Sequence, residues 1–310
     1  MHRFRSTLMA AVALVALAVP TALAAVTSPV GAAPNPGGPL PVSAGGWAVT
    51  AAGAVVPFFG PSFGDLQGKA LNSPIVGVAS TYDSKGYWLV GSDGGVFAFG
   101  SAPFYGSMGG SHLNAPIVGI AGTPDGKGYW LVASDGGVFS FGDAPFYGSM
   151  AGSHLNAPVV SIAVQFTDQF NPGPATGYWL VASDGGVFAF GGAPFLGSAQ
   201  PQITQPGWGA TVTSAGSNQW SPGCFLTDQR GDFFYTDPTS PSPANMSFWL
   251  GSTAGVVAVN WVPGGPEFVT SSGQVLWLDV HNQESSFALS TPGPVIGAAF
   301  ANINTVGATP

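Results

Sequence analysis

From residue 46 onward the chain is a succession of short apolar runs separated by Gly, Pro, Asn and Asp. The runs are β-branched or aromatic and bounded by turn formers, a pattern that predicts strands joined by tight turns. One unit reads Pro116-Ile-Val-Gly-Ile-Ala121, a polar turn at Pro124-Asp-Gly-Lys127, and then Gly128-Tyr-Trp-Leu-Val-Ala-Ser134. A second turn at Asp135-Gly136 leads into Gly137-Val-Phe-Ser-Phe-Gly142, and Pro145-Phe-Tyr-Gly-Ser149 follows. Such a unit predicts a four-stranded antiparallel meander. Asp-Gly between two runs points to a hairpin with a type I′ turn, since Gly takes positive φ without steric cost. The runs do not alternate apolar with polar. In Tyr129-Trp130-Leu131-Val132 both sheet faces are apolar, so each sheet must be covered on both sides.

The phrase Gly86-Tyr-Trp-Leu-Val-Gly-Ser-Asp-Gly-Gly-Val-Phe returns from Gly128 and Gly177 with one Gly-to-Ala exchange. Weaker copies start at Gly46, Gly223 and Gly265; in the first, Trp47 stands in the Tyr place and Gly60 in the place of Gly100. The partner strand also recurs six times, at Ile75, Ile117, Val159, Gly209, Gly255 and Val295. A period of roughly 40 to 50 residues marks a repeat architecture. Radially arranged sheets, each sandwiched between two neighbours, satisfy the two-sided apolar pattern. The chain starts on a hairpin without its preceding strand and ends on Pro294-Val-Ile-Gly-Ala-Ala-Phe300, a strand without its hairpin. The expected fold is therefore an all-β, six-bladed β-propeller of four-stranded antiparallel blades, closed by pairing the N- and C-terminal strands in one blade. A linear solenoid would need polar capping repeats, and the ends carry none.

Ahead of the repeats, Arg3 and Arg5, an apolar run from Leu8 to Val19, and the small-residue site Ala22-Leu23-Ala24 read as a cleaved export signal. The expected organisation is a signal peptide at 1–24, an Ala/Pro/Gly-rich linker at 25–41, the propeller at 42–304 and a tail at 305–310. A secreted or cell-surface location follows, with no membrane insertion once the signal is removed. Only 6% of residues are charged. Without Arg3 and Arg5 the basic residues are Lys69, Lys85, Lys127 and Arg230, against 14 acids. That balance lacks the basic footprint of a nucleic-acid binder or of a protein docked on anionic lipid. Cys224 is the single cysteine, so no intramolecular disulfide forms, and it reads as a small core residue rather than a catalytic thiol.

The phrase Gly-Tyr-Trp-Leu-Val-Ala-Ser-Asp-Gly-Gly-Val-Phe-Ala-Phe-Gly, with Ala-Pro-Phe-Tyr-Gly-Ser after it, resembles a repeat of exported actinobacterial proteins, sometimes found beside cell-wall hydrolase or peptidase domains. The likeness is close over residues 86–198 and weak in the flanking copies, where Asp93 gives way to Gly53, Arg230 and Ser272. It implies export and repeat architecture and transfers no catalytic residue.

Candidate chemistry is sparse. Asp93, Asp135 and Asp184 recur at one place and could form a ring of carboxylates, but a hairpin-turn role accounts for them. His112 and His154, with Asn114 and Asn156, recur in the link between units and are candidate ligand-binding residues. No third histidine joins them, so no metal site is expected, nor any cofactor. Tyr87, Tyr129 and Tyr178 beside Trp88, Trp130 and Trp179 lie in mid-strand and read as packing. Trp208, Trp220 and Trp261 lie outside the consensus, close to loop signals, and could offer flat apolar surface with one N–H donor to a sugar or peptide. Residues 199–290, the divergent part, are where specificity is expected. Nucleophile elbows, metalloprotease helices and phosphate loops are absent from the sequence. The expected function is a non-catalytic, monomeric binding or scaffold module for cell-envelope glycan or extracellular protein. The alternative is a propeller hydrolase or lyase using carboxylates among Asp232, Glu267, Asp279 and Glu284.

Overall fold

The structure, a computed structural model, describes residues 45–165, 174–195, 197–198, 212–217, 224–228, 233–235, 244–246, 255–262, 265–278 and 284–301. The expected signal peptide, linker and tail lie outside these residues.

All regular structure among the described residues is β. In chain order the strands are β1 (Gly46–Thr50), β2 (Val55–Phe58), β3 (Ile75–Ser80), β4 (Gly86–Gly91), β5 (Val96–Gly100), β6 (Ile117–Gly122), β7 (Gly128–Ala133) and β8 (Val138–Gly142). They continue with β9 (Val159–Gln165), β10 (Gly177–Ala182), β11 (Val187–Gly191), β12 (Val212–Ser217), β13 (Cys224–Asp228), β14 (Phe233–Tyr235) and β15 (Ala244–Met246). The last are β16 (Val256–Val262), β17 (Gly265–Thr270), β18 (Gln274–Leu278), β19 (Glu284–Ala288) and β20 (Val295–Phe300). They form small antiparallel sheets in a propeller-like arrangement: β3-β4-β5, β6-β7-β8, β9-β10-β11, β12 to β15, β16 to β19, and β2-β1-β20. In the last of these, the N-terminal hairpin pairs with the C-terminal strand, Trp47 opposite Ala299. The first strands touch in succession, β20 against β3, β3 against β6, β6 against β9, β9 against β12, β12 against β16 and β16 against β20.

The two-sided apolar pattern has its predicted use. Tyr87 and Leu89 of β4 pack with Trp47 and Val49 of β1, while Trp88 and Val90 pack with Tyr129 and Leu131 of β7. The same offset recurs when Trp130 and Val132 meet Tyr178 and Leu180 of β10. Successive residues of a strand point to opposite faces, so each central strand contributes to two inter-sheet cores.

Three expectations about local structure need correction. The sheets containing β3, β6 and β9 have three strands, and the segments at 103–107 and 145–149 are not the predicted fourth strands. Their backbone groups are held by side chains instead. Trp88 Nε1 donates to the Pro103 carbonyl at 2.7 Å and Trp130 Nε1 to that of Pro145 at 2.8 Å. Tyr129, from the following sheet, donates its hydroxyl to the Gly106 carbonyl and accepts from the Tyr105 N–H; Tyr178 does the same with Gly148 and Tyr147. Gly106 and Gly148, at φ +133° and +137°, bend the segment away from strand geometry. Among the described residues only the sheets of β12 to β15 and β16 to β19 reach four strands.

The Asp-Gly hairpins, second, are not type I′, which requires positive φ at both central residues. In the first, Gly94 N–H donates to the Gly91 carbonyl and Gly91 N–H to that of Gly95, with positive φ at Gly94 and not at Asp93. This is a type I turn closed by a left-handed glycine in a bulge. The first hairpin is also shifted from its expected alignment. Trp47 takes the Trp place, donating Nε1 to the Pro61 carbonyl and packing on Tyr87 as Trp88 packs on Tyr129. Phe59, at φ +54°, and not Gly60, stands where Gly100 has φ +66°.

Burial raises the Tyr87, Tyr129 and Tyr178 hydroxyls above the ordinary tyrosine value near 10, against the lowering effect of their hydrogen bonds. An acid with a raised folded-state pKa remains protonated while the unfolded chain ionises, so its contribution is intact below about pH 10 and is lost above it. The denaturation midpoint should accordingly fall as the pH rises past about 10. A midpoint unchanged up to pH 11 would contradict the buried, protonated tyrosines.

Candidate functional site

The turn between β4 and β5, the link entering β3 and the link from β5 to β6 meet at one end of their sheet. They enclose an open cleft of about 500 Å³, whose lining includes Asn72, Ser92, Asp93, Ser111, Asn114 and Pro116. Backbone bonds fix its walls. Ser92 N–H donates to the Pro74 carbonyl at 3.0 Å, Ile117 N–H to that of Ser92 at 3.0 Å, and Met108 N–H to that of Gly94 at 2.9 Å. Asp93 Oδ1 accepts from Gly95 N–H at 3.0 Å, holding the turn. The lining offers amide, hydroxyl and carboxylate groups beside the apolar Leu113 and Pro116, and no cation. A few convergent polar groups on an apolar floor orient a small ligand.

The frame is repeated bond for bond in the next unit. Ser134 N–H donates to the Pro116 carbonyl, Val159 N–H to that of Ser134 and Met150 N–H to that of Gly136. Asp135 Oδ1 accepts from Gly137 N–H at 2.9 Å. In a third unit Ser183 N–H donates to the Pro158 carbonyl and Asp184 Oδ1 accepts from Gly186 N–H at 3.0 Å.

Asp93, Asp135 and Asp184 each accept a turn N–H in their hairpins, and Asp93 also lines the cleft. Asn114 is exposed in the cleft wall, and Asn156 is exposed at the matching place of the next frame. His112 and His154 are exposed, but His112 does not line the cleft although its neighbours Ser111 and Leu113 do. Trp208 and Trp220 lie outside the described residues, as do Asp232 and Asp279. Trp261 lies within β16, its backbone opposite Pro266, rather than in a loop. Glu267 is fully buried, and its Oε1 accepts from Trp277 Nε1 at 3.1 Å. It is a core residue, unavailable as one of a pair of surface carboxylates.

Phe104, Phe146 and Phe195 escaped the sequence reading. They hold the same repeat position and are 61%, 61% and 64% exposed. An apolar residue inside a supposed strand reads as core; only the replacement of that strand by an irregular segment turns it outward. At the opposite end of the β6-β7-β8 sheet, Asp125 pairs with Lys127 at 3.2 Å. Burial raises the Asp125 carboxyl, but hydrogen bonds from Thr123 and the Lys127 N–H outweigh it and hold it below the usual value. Burial and then the charge of Asp125 push Asp143 upward. The pair is solvent-exposed through Lys127 and contributes little. Among the described residues no group of three His, Cys, Asp or Glu side chains converges as a metal site. No described helix is long and apolar enough to cross a membrane.

No protein-family model and no curated protein matches the chain. A solved structure described as "Structure of U3-55K" is similar at a TM-score of 0.49 and 11% identity over 73% of this chain. The match spans 64% of that chain's own length.

Proposed function

We propose that this chain is an exported, non-catalytic recognition module built on a six-bladed β-propeller and directed at neutral glycan of the cell envelope. The six-bladed reading is supported by the successive contacts of the first strands and by the pairing of β1 with β20. Export is supported by the basic, apolar and small-residue order of residues 1–24. The recognition reading is carried by one observation: a polar cleft on one end of a rigid sheet array, its frame repeated in the next unit while the surrounding sequence repeats with it. Amide and carboxylate groups suit the hydroxyls of a sugar, and Leu113 and Pro116 suit its C–H face. A carboxylate without a nearby cation disfavours an anionic ligand. The hydrolase alternative loses Glu267 to the core.

The test is co-sedimentation of the signal-free protein with purified cell walls, with soluble neutral glycans as competitors. Saturable binding displaced by a neutral glycan is expected. Asn114→Ala should weaken it by at least about tenfold, the equivalent of one lost hydrogen bond of upper-range strength. Absence of saturable binding to the walls would overturn the glycan reading.

A further inference from the structure

Neighbouring frames share a wall. The link Leu113–Pro116 closes the cleft that contains Asp93, and it enters β6 just as the link with Asn72 and Ser73 enters β3. Asn114 therefore stands in two frames at once. It is on the far side of the Asp93 cleft, and in the Asn72 position of the frame built around Asp135. The backbone anchors agree, since the Pro116 carbonyl accepts from Ser134 as the Pro74 carbonyl accepts from Ser92. Asn156 repeats the arrangement one unit on, where the Pro158 carbonyl accepts from Ser183. Asn72, Asn114 and Asn156 thus mark successive walls of a continuous series of like frames, not isolated pockets.

We infer that this end of the sheet array is a track for a repeating polysaccharide, which occupies adjacent clefts together and is gripped at their shared walls; the inference rests on the glycan reading above. Equivalent polar groups on a rigid frame present the same recognition chemistry at each step, which a polymer of like units can satisfy and a single sugar cannot. Occupying one cleft makes filling the next intramolecular, and linked sites of this kind gain about 10²- to 10⁴-fold in avidity. Asn114 stands between two frames that each carry a turn aspartate, Asp93 and Asp135, and so carries more of that grip than Asn72, whose preceding frame repeats the bonds of Ile75 N–H to the Ala51 carbonyl and Leu66 N–H to that of Gly53 but has Ala52 in the aspartate's place.

The probe is soluble neutral polysaccharide released from purified cell walls and fractionated into single-repeat and long-chain pools, with affinities measured by calorimetry. The long-chain pool should bind at least about 100-fold more tightly per repeat than the single-repeat pool. Asn114→Ala should weaken long-chain binding by about 100-fold against about tenfold for Asn72→Ala, and Asn114→Gln should lose affinity in the same order. Unchanged denaturation midpoints establish that each variant folds. Equal affinity of both pools per repeat, with Asn114→Ala no worse than Asn72→Ala, would overturn the track while leaving glycan recognition intact. Failure of both pools to bind would overturn the glycan reading and the track with it.

Discussion

Replacing Trp130 by alanine should lower the unfolding free energy by about 3–5 kcal/mol, the range for removal of a large buried aromatic side chain. Trp130 has no solvent exposure and packs with Val132, Tyr178 and Leu180 between two sheets. Its ring centroid lies 5.7 Å from that of Tyr178, an edge contact. Its Nε1 also holds the Pro145 carbonyl at 2.8 Å, anchoring the segment that replaces a fourth strand. Truncation removes both the packing and that anchor. Trp130→Phe separates them: it keeps most of the apolar volume but strips the carbonyl of its donor, a loss of about 1–3 kcal/mol if the group remains buried. Urea denaturation of the two variants measures both. A Trp130→Ala protein within 1 kcal/mol of the parent, on the order of an ordinary surface change, would mean that the inter-sheet core does not hold the fold.

Removal of residues 295–310 should abolish cooperative folding. β20 is the only strand among the described residues that pairs with the free side of β1. Without it Gly46 to Thr50 become an unpaired edge, a template for aggregation. Val295 is buried with Val269, Val275 and Trp277 of the preceding sheet, while Ala299 is buried with Trp47 and Tyr87 on the other side. Ser80 Oγ further donates to the Phe300 carbonyl at 2.9 Å, tying β3 to the same strand. One segment thus joins three sheets, and domains with a total stability of about 5–15 kcal/mol do not absorb such a loss. The expected readout is an aggregated or protease-sensitive chain with no sigmoidal denaturation. A truncated protein that unfolds cooperatively at the parent midpoint would show that β20 is dispensable. Adding the missing segment back as a peptide should restore protease resistance if the strand acts by pairing alone.

Much of the fold was legible because it is written in local signals. The strand starts expected at Ile75, Gly86, Ile117, Gly128, Val159, Gly177, Gly265 and Val295 all begin strands. Turn residues and β-branched runs act within a few positions of themselves, so their sequence pattern carries them. The fourth strands misled because Pro103-Phe104-Tyr105 has strand-like composition, yet its Pro103 carbonyl is captured by Trp88 Nε1 and its Tyr105 N–H by the Tyr129 hydroxyl, both from elsewhere in the chain. The alignment of the first hairpin failed similarly. Gly46 pairs with Phe58 and Trp47 with Ala299, a register fixed by the distant strand β20 and not by the order of letters.

The candidate site divides along the same line. Asn114, Asn156 and the three turn aspartates stood out by their repetition, whereas the grouping of Asn72, Ser92 and Ser111 in one cleft comes from three separate segments and exists only when those segments meet. The sequence by itself determined an all-β repeat, the identity of the hairpins and the apolar nature of both sheet faces, since these depend on periodicity and turn chemistry. Tertiary structure alone decided which polar residues share a cleft, that Glu267 is buried beside Trp277, and that Phe104, Phe146 and Phe195 face outward. Those outcomes depend on contacts between residues far apart in the chain, where side-chain hydrogen bonds and packing prevail over local strand preference.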